Sequence, residues 1–141
     1  MMIRYIPADP AGNLTAIVLS PVAAQDCAKI AAEMMTRCPE GFEQVGFADE
    51  TSLTGDLPTL CMMGGEFCGN ATMSFGAWLC RRAPIGQTCR LALKISGAPA
   101  LVECSITPLD GCFLGTVDMP LPESIYECSF LDGFDCHTLP L

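Results

Sequence analysis

The chain is poor in positive charge. Seven Lys and Arg residues stand against sixteen Asp and Glu, giving a net charge of −9, and no basic run or basic helical stripe occurs. Such a surface repels phosphate backbones and anionic headgroups, which argues against nucleic acid or an anionic membrane as partner. The sequence also lacks any apolar run near the ~18 residues that a membrane span needs. Its longest apolar helix candidate, Ala71 to Cys80, is short and carries Thr72 and Ser74. The opening MMIRYIPADPAGN has no charged segment followed by a long apolar stretch and a small-residue cleavage site, so no secretion signal is expected. Histidine is down to one residue, His137, and CxxC is absent. Zinc spacing is therefore missing, and no metal site is expected.

Cysteine is abundant instead. The ten are Cys27, Cys38, Cys61, Cys68, Cys80, Cys89, Cys104, Cys112, Cys128 and Cys136. Several fall at apolar positions, where Cys behaves as a small hydrophobe. Without a secretion signal they read as reduced thiols of a cytoplasmic protein rather than as a disulfide scaffold. With 141 residues, half of them hydrophobic, the chain can bury the core of one compact domain.

Local patterns predict the elements. Met2 to Ile6 reads as a first strand ended by Pro7, and Leu14 to Leu19 as a second, rich in branched residues. Ser20-Pro21 signals a helix start, with Ser20 as cap. The helix runs to about Arg37, with Cys27, Ile30, Ala31, Met34 and Met35 forming one apolar stripe. Strands follow at Glu43 to Phe47 and Thr59 to Met63, separated by a polar loop at Asp49 to Gly55. A second helix, Gly69 to Arg82, has no polar face and is expected to be buried on all sides, Trp78 included. Cys89 to Ile95, Ala100 to Ile106 and Cys112 to Met119 alternate as strands joined by tight turns. The fold class is α+β: a mixed or antiparallel curved sheet rolled around a central apolar helix, with one outer amphipathic helix.

The segment Met62 to Arg82, MMGGEFCGNATMSFGAWLCRR, carries the chemistry. A Gly-rich loop delivers Cys68 to the start of the apolar helix. There the sulfur meets free backbone N–H groups and the positive end of the helix dipole, an environment that favours negative charge. The same N–H groups make a pocket for a carboxylate. An acid/base thiol beside a carboxylate pocket points to proton chemistry on an amino or keto acid. By the residues alone, Asn13 also reads as a turn residue, Gln44 as a polar residue at a strand start and Asn70 as a helix cap.

GGEFCGNAT at Gly64 to Thr72, Gly12-Asn13 before a strand, GFEQVGF at Gly41 to Phe47 and the trailing GTVDMPLP together resemble the diaminopimelate epimerase superfamily. The resemblance implies an isomerase: a cofactor-independent amino-acid racemase or epimerase, working without pyridoxal and binding a free amino acid. Such enzymes have two similar halves, each a sheet rolled around a central helix and each contributing one catalytic cysteine to the cleft between them. Cys68 matches the catalytic cysteine of the first half. Asn13 and Gln44 match substrate-contacting positions, and Gly69 and Asn70 match the helix start that receives the carboxylate. The family's usual second glycine is replaced by Ala71-Thr72. That form is closer to branches acting on other amino acids, or to the GHAT of the phenazine-biosynthesis isomerases.

The expected organisation is one epimerase-like domain over residues 1–122, with 123–141 a linker or the start of a second domain. On that reading the chain supplies one half of a two-base site and is inactive alone. Two other readings fit the same residues: a non-catalytic half-domain that binds an amino acid or pairs as a homodimer through its inter-half surface, and a phenazine-type isomerase in which a carboxylate moves the proton.

Overall fold

The computed structural model describes residues 2–48, 57–121, 125–127 and 137–139. The expected loop at Asp49 to Gly55, and Cys128 and Cys136, lie outside the described residues. Seven strands form one mixed sheet whose neighbours follow chain order: β1 (Tyr5–Ala8), β2 (Thr15–Val18), β3 (Gln44–Phe47), β4 (Thr59–Met62), β5 (Cys89–Ile95), β6 (Val102–Pro108) and β7 (Phe113–Val117). A short antiparallel pair, β8 (Ile125–Glu127) and β9 (His137–Leu139), follows. Helix α1 spans Ala24–Arg37 and helix α2 spans Gly69–Leu79.

The helices occur where the pairing demands them. β2 with β3 and β4 with β5 are parallel, and the other adjacent pairs are antiparallel. A parallel step cannot be closed by a tight turn and needs a crossover. α1 makes the first crossover and α2 the second. They lie on opposite faces. Ala16 and Val18 of β2 pack with Ala31, Met34, Phe42, Val45 and Phe47 on the α1 side. Ile17 packs with Leu60, Met62, Ala71, Phe75, Leu93 and Ile106 on the α2 side. Being covered on both faces is why this strand reads as a continuous apolar run. β6, covered on one face, alternates: Val102, Cys104 and Ile106 are buried between more exposed residues.

The sheet curls around α2, which touches β2 and β3 on one side and β6 and β7 on the other. The approach is close at Gly76, where a β-carbon would stand 3.1 Å from both Cys104 Sγ and Ile106 Cγ1. Closure is incomplete. Between the β1 and β7 ends an open groove of about 630 Å³ leaves Met73, Ala77 and Trp78 of α2 facing outward. This corrects the expectation of a helix buried all round: Ala71, Thr72, Ser74, Phe75 and Gly76 are buried, while Met73, Ala77, Trp78 and Leu79 are half-buried. Trp78 stacks on Phe75 and is covered by the Arg81 guanidinium, 4.2 Å above its ring. Arg81 Nη1 also donates to the Trp78 carbonyl at 2.7 Å, so a cation sits at the negative helix end.

Other boundaries shift for identifiable reasons. Pro7 is inside β1, opposite Ala16, because among the described residues β1 is an edge strand paired with β2 alone and proline's missing N–H costs nothing on the outer side. Ser20 does not cap α1. Its Oγ accepts from Arg4 N at 2.8 Å, and the helix starts at Ala24 after Ala23 with no side-chain cap.

All eight described cysteines are free thiols. Burial, then the hydrogen bond and proximity of Cys89, pushes the Cys80 thiol up to about 12, and burial pushes Cys104 up to about 11. An unfolded thiol ionises near 8.5. Folding therefore favours the protonated form. The stability this supplies is complete below that unfolded value and is lost as pH rises through the two folded values. We expect the urea midpoint to fall between pH 8 and pH 10.5, each thiol contributing at most about 1.4 kcal/mol per pH unit. Cys104→Ala should flatten the slope; an unchanged slope refutes the assignment.

Candidate active site

β2 and β3 are parallel neighbours, so their starting ends lie side by side. Thr15 registers with Gln44, and Glu43 N donates to the Leu14 carbonyl at 2.8 Å. The turn before β2 takes its positive φ angles at Ala11 (59°) and Gly12 (92°), with Asp9 Oδ1 accepting from Gly12 N at 2.6 Å. Asn13 is therefore not the left-handed turn residue, and its side chain points toward Gln44. Gln44 Nε2 donates to Asn13 Oδ1, and the Cys68 thiol donates to Gln44 Oε1. Asn13, Gln44 and Cys68 form one hydrogen-bonded chain, each member half-buried.

Cys68 is the N-cap of α2, in extended conformation at φ −137° and ψ 111°. Its sulfur accepts from Ala71 N at 3.4 Å, while its carbonyl accepts from Thr72 N at 3.0 Å and from Thr72 Oγ1 at 2.8 Å. The thiol is thus held between a carboxamide and the first turn of a helix whose N–H groups point outward. Gly69 and Asn70 are the first two residues of that turn. The cap is the sulfur, not Asn70, which corrects the capping reading of Asn70. Asn70 instead borders the open groove, the one candidate residue to do so. Gly69 lies under Met119, whose sulfur would stand 3.0 Å from any β-carbon added there. Glu66 is exposed, its carboxylate folded over Gly64.

Three contributors had escaped the sequence patterns. Buried Thr72 ties its hydroxyl to the Cys68 carbonyl, a bond legible in hindsight from the four-residue spacing. Ser96 and Gly97, in the turn between β5 and β6, lie against the loop that delivers Cys68. No local signal links positions so far apart in the chain. Among the described residues no group of three His, Cys, Asp or Glu side chains is placed to hold a metal ion, and no helix is long and apolar enough to cross a membrane.

Comparison with known proteins covers the segment that holds this site. The family model for the histidine racemase CntK N-terminal domain matches residues 2–138. A histidine racemase of Staphylococcus aureus (strain Mu50) is 36% identical over 120 residues, which cover 84% of this chain and 42% of that protein. Histidine racemases from two strains of Fusobacterium nucleatum subsp. nucleatum are 31% identical over 133 residues and 34% over 131, covering 91% and 89% of this chain and 48% and 46% of their own lengths. The chain thus spans less than half the length of these curated relatives. With a matched segment that takes in every element from β1 to β7, the chain belongs to the histidine racemase CntK N-terminal domain family.

Proposed function

We propose that this chain supplies one face of a pyridoxal-independent racemase site for histidine, with Cys68 as the acid/base group on that face. The observation that carries the proposal is the thiol at the N-cap of α2, hydrogen-bonded to Gln44. The names of the relatives support histidine as the substrate.

Inverting a Cα centre requires a base on one face and an acid on the other. As thiolate, Cys68 takes the Cα proton and becomes a thiol. As thiol, it returns a proton to a planar carbanion deprotonated from the opposite side. We assign that opposite group, a second cysteine, to the portion of the relatives that this chain does not cover. The carbanion charge spreads into the substrate carboxylate, which the proposal seats against the outward N–H groups of Gly69 and Asn70. Fixed donors aimed at developing charge are worth roughly 3 kcal/mol each.

Gln44 serves both charge states of the sulfur. It accepts from the thiol through Oε1 while Nε2 holds Asn13. When the sulfur is a thiolate, a half-turn of the carboxamide offers Nε2 to it, and the Asn13 amide turns to match. The pair can follow the proton without leaving a buried polar group unpartnered.

The test uses the complete gene product carrying this sequence, incubated with L- or D-histidine in heavy water. The expected result is Cα deuteration and interconversion of the enantiomers without added cofactor. A folded protein that exchanges neither histidine nor any of a broad amino-acid panel would refute the proposal.

A further inference from the structure

The loop that places Cys68 leaves β4 at Met62 and enters α2 at Gly69. Its own backbone bonds lie in its first part: Met63 N donates to the Val45 carbonyl at 3.1 Å and Gly65 N to the Met62 carbonyl at 2.9 Å. Its second part, from Glu66 to Cys68, is held from outside. Ser96 Oγ donates to the Glu66 carbonyl at 2.8 Å and accepts from Met62 N at 2.8 Å. One hydroxyl therefore ties the loop where it begins and again two residues before Cys68. Ser96 is itself fixed, since its N–H donates to the Leu60 carbonyl at 3.0 Å and continues the pairing of β5 with β4. Beside it, Gly97 lies flat against the loop: a β-carbon there would stand 2.2 Å from Phe67 N and 2.6 Å from the Glu66 carbonyl carbon.

We infer that Ser96 is a positioning residue for Cys68, its hydroxyl setting where the sulfur stands relative to Gln44 and the first turn of α2. In its kinetic consequence the inference rests on Cys68 as the acid/base thiol; in its geometric consequence it does not. Ser96 touches no substrate. It acts because a half-buried hydroxyl that both donates and accepts cannot be removed without freeing a β4 N–H and a loop carbonyl together. The loop then relaxes, and the sulfur moves off the carboxamide. A displacement near 1 Å in an acid/base group can cost about 100-fold in rate. The N–H groups of Gly69 and Asn70 belong to the helix and stay where they are, so substrate affinity is spared.

Two readouts on the complete gene product test this. The first is the rate of Cys68 alkylation by iodoacetamide, resolved by peptide mass spectrometry and divided by the rate at exposed Cys112. In Ser96→Ala the ratio is expected to rise at least about fivefold, because the thiol is released from Gln44, and Ser96→Thr should restore it. The second is histidine racemisation, where Ser96→Ala should lower kcat at least about tenfold with KM changed less than twofold. A wild-type alkylation ratio in Ser96→Ala overturns the inference, even if the urea midpoint falls. So does a loss of kcat without a change in the ratio, or a changed ratio with kcat intact while Cys68→Ala is inactive. Where Cys68→Ala retains racemisation, the acid/base assignment fails and the alkylation ratio alone decides Ser96. Should the alanine variant not fold, Ser96→Cys keeps a longer and weaker link. An intermediate ratio is then expected, and a wild-type ratio overturns the inference.

Discussion

Cys68→Ala in the complete gene product is expected to lose histidine racemisation by at least about 1,000-fold, with any remaining Cα exchange confined to one enantiomer. A positioned acid or base contributes roughly 100- to 10,000-fold. A two-base inversion loses both directions when either group is absent, because each direction uses one group to take the proton and the other to give one. The opposite group can still deprotonate the enantiomer that faces it, which is why exchange without inversion is the expected residue. The fold should persist. The cap that the sulfur provides is a single N–H contact at 3.4 Å, and losing a side-chain cap costs about 1 kcal/mol. Cys68→Ser separates catalysis from capping. A serine hydroxyl is a better cap and can still bond Gln44, but near neutral pH it is a far poorer base than a thiolate. The serine variant should therefore match or exceed wild-type stability and still fail to racemise. If it keeps more than about a tenth of the wild-type rate, sulfur acid/base chemistry is wrong and another group moves the proton.

The sequence made the frame legible because the frame is periodic. The stripe Cys27, Ile30, Ala31, Met34 and Met35 marks the face of α1 that packs inward, and the alternation of β6 marks the residues that meet α2. The seat of Cys68 was legible because a Gly-rich loop followed by a helix start is a local signal. What required the fold was long-range. Gln44 reaches Asn13 across 31 positions and Cys68 across 24, and only a resemblance had grouped them. Ser96 reaches Glu66 across 30 positions, with no pattern to announce it. The errors have the same origin. An apolar helix predicts burial but not where a curled sheet stops, so the open side of α2 at Met73 and Trp78 could not be seen in it. Ser20 looks like a cap until tertiary structure gives its hydroxyl to Arg4 N. Asn70 looks like a cap until the cysteine two residues earlier takes that place.

Gly97→Ala is expected to be the most destabilising substitution among the described glycines, by about 4 kcal/mol, against a typical total stability of roughly 5–15 kcal/mol. Two costs add. Gly97 has φ +72°, and the left-handed region costs an L-residue about 1–2 kcal/mol. The second cost is contact: the alanine β-carbon would stand 2.2 Å from Phe67 N and 2.6 Å from the Glu66 carbonyl carbon. Those are backbone atoms, so no rotamer change relieves the overlap, and either the loop or the turn has to move. Gly86→Ala isolates the first cost. Gly86 has nearly the same φ, +80°, but nothing within 4 Å of its would-be β-carbon, and should lose only about 1 kcal/mol. Urea midpoints at unchanged m-value measure both. A difference between the two variants below about 1 kcal/mol would mean that the Cys68 loop yields freely at Gly97. A large difference locates the resistance in the backbone contact itself. Where it is the loop that yields, that displacement also strains the Ser96–Glu66 bond and the seat of Cys68 against Gln44, and the Cys68 alkylation rate should rise with the loss of stability.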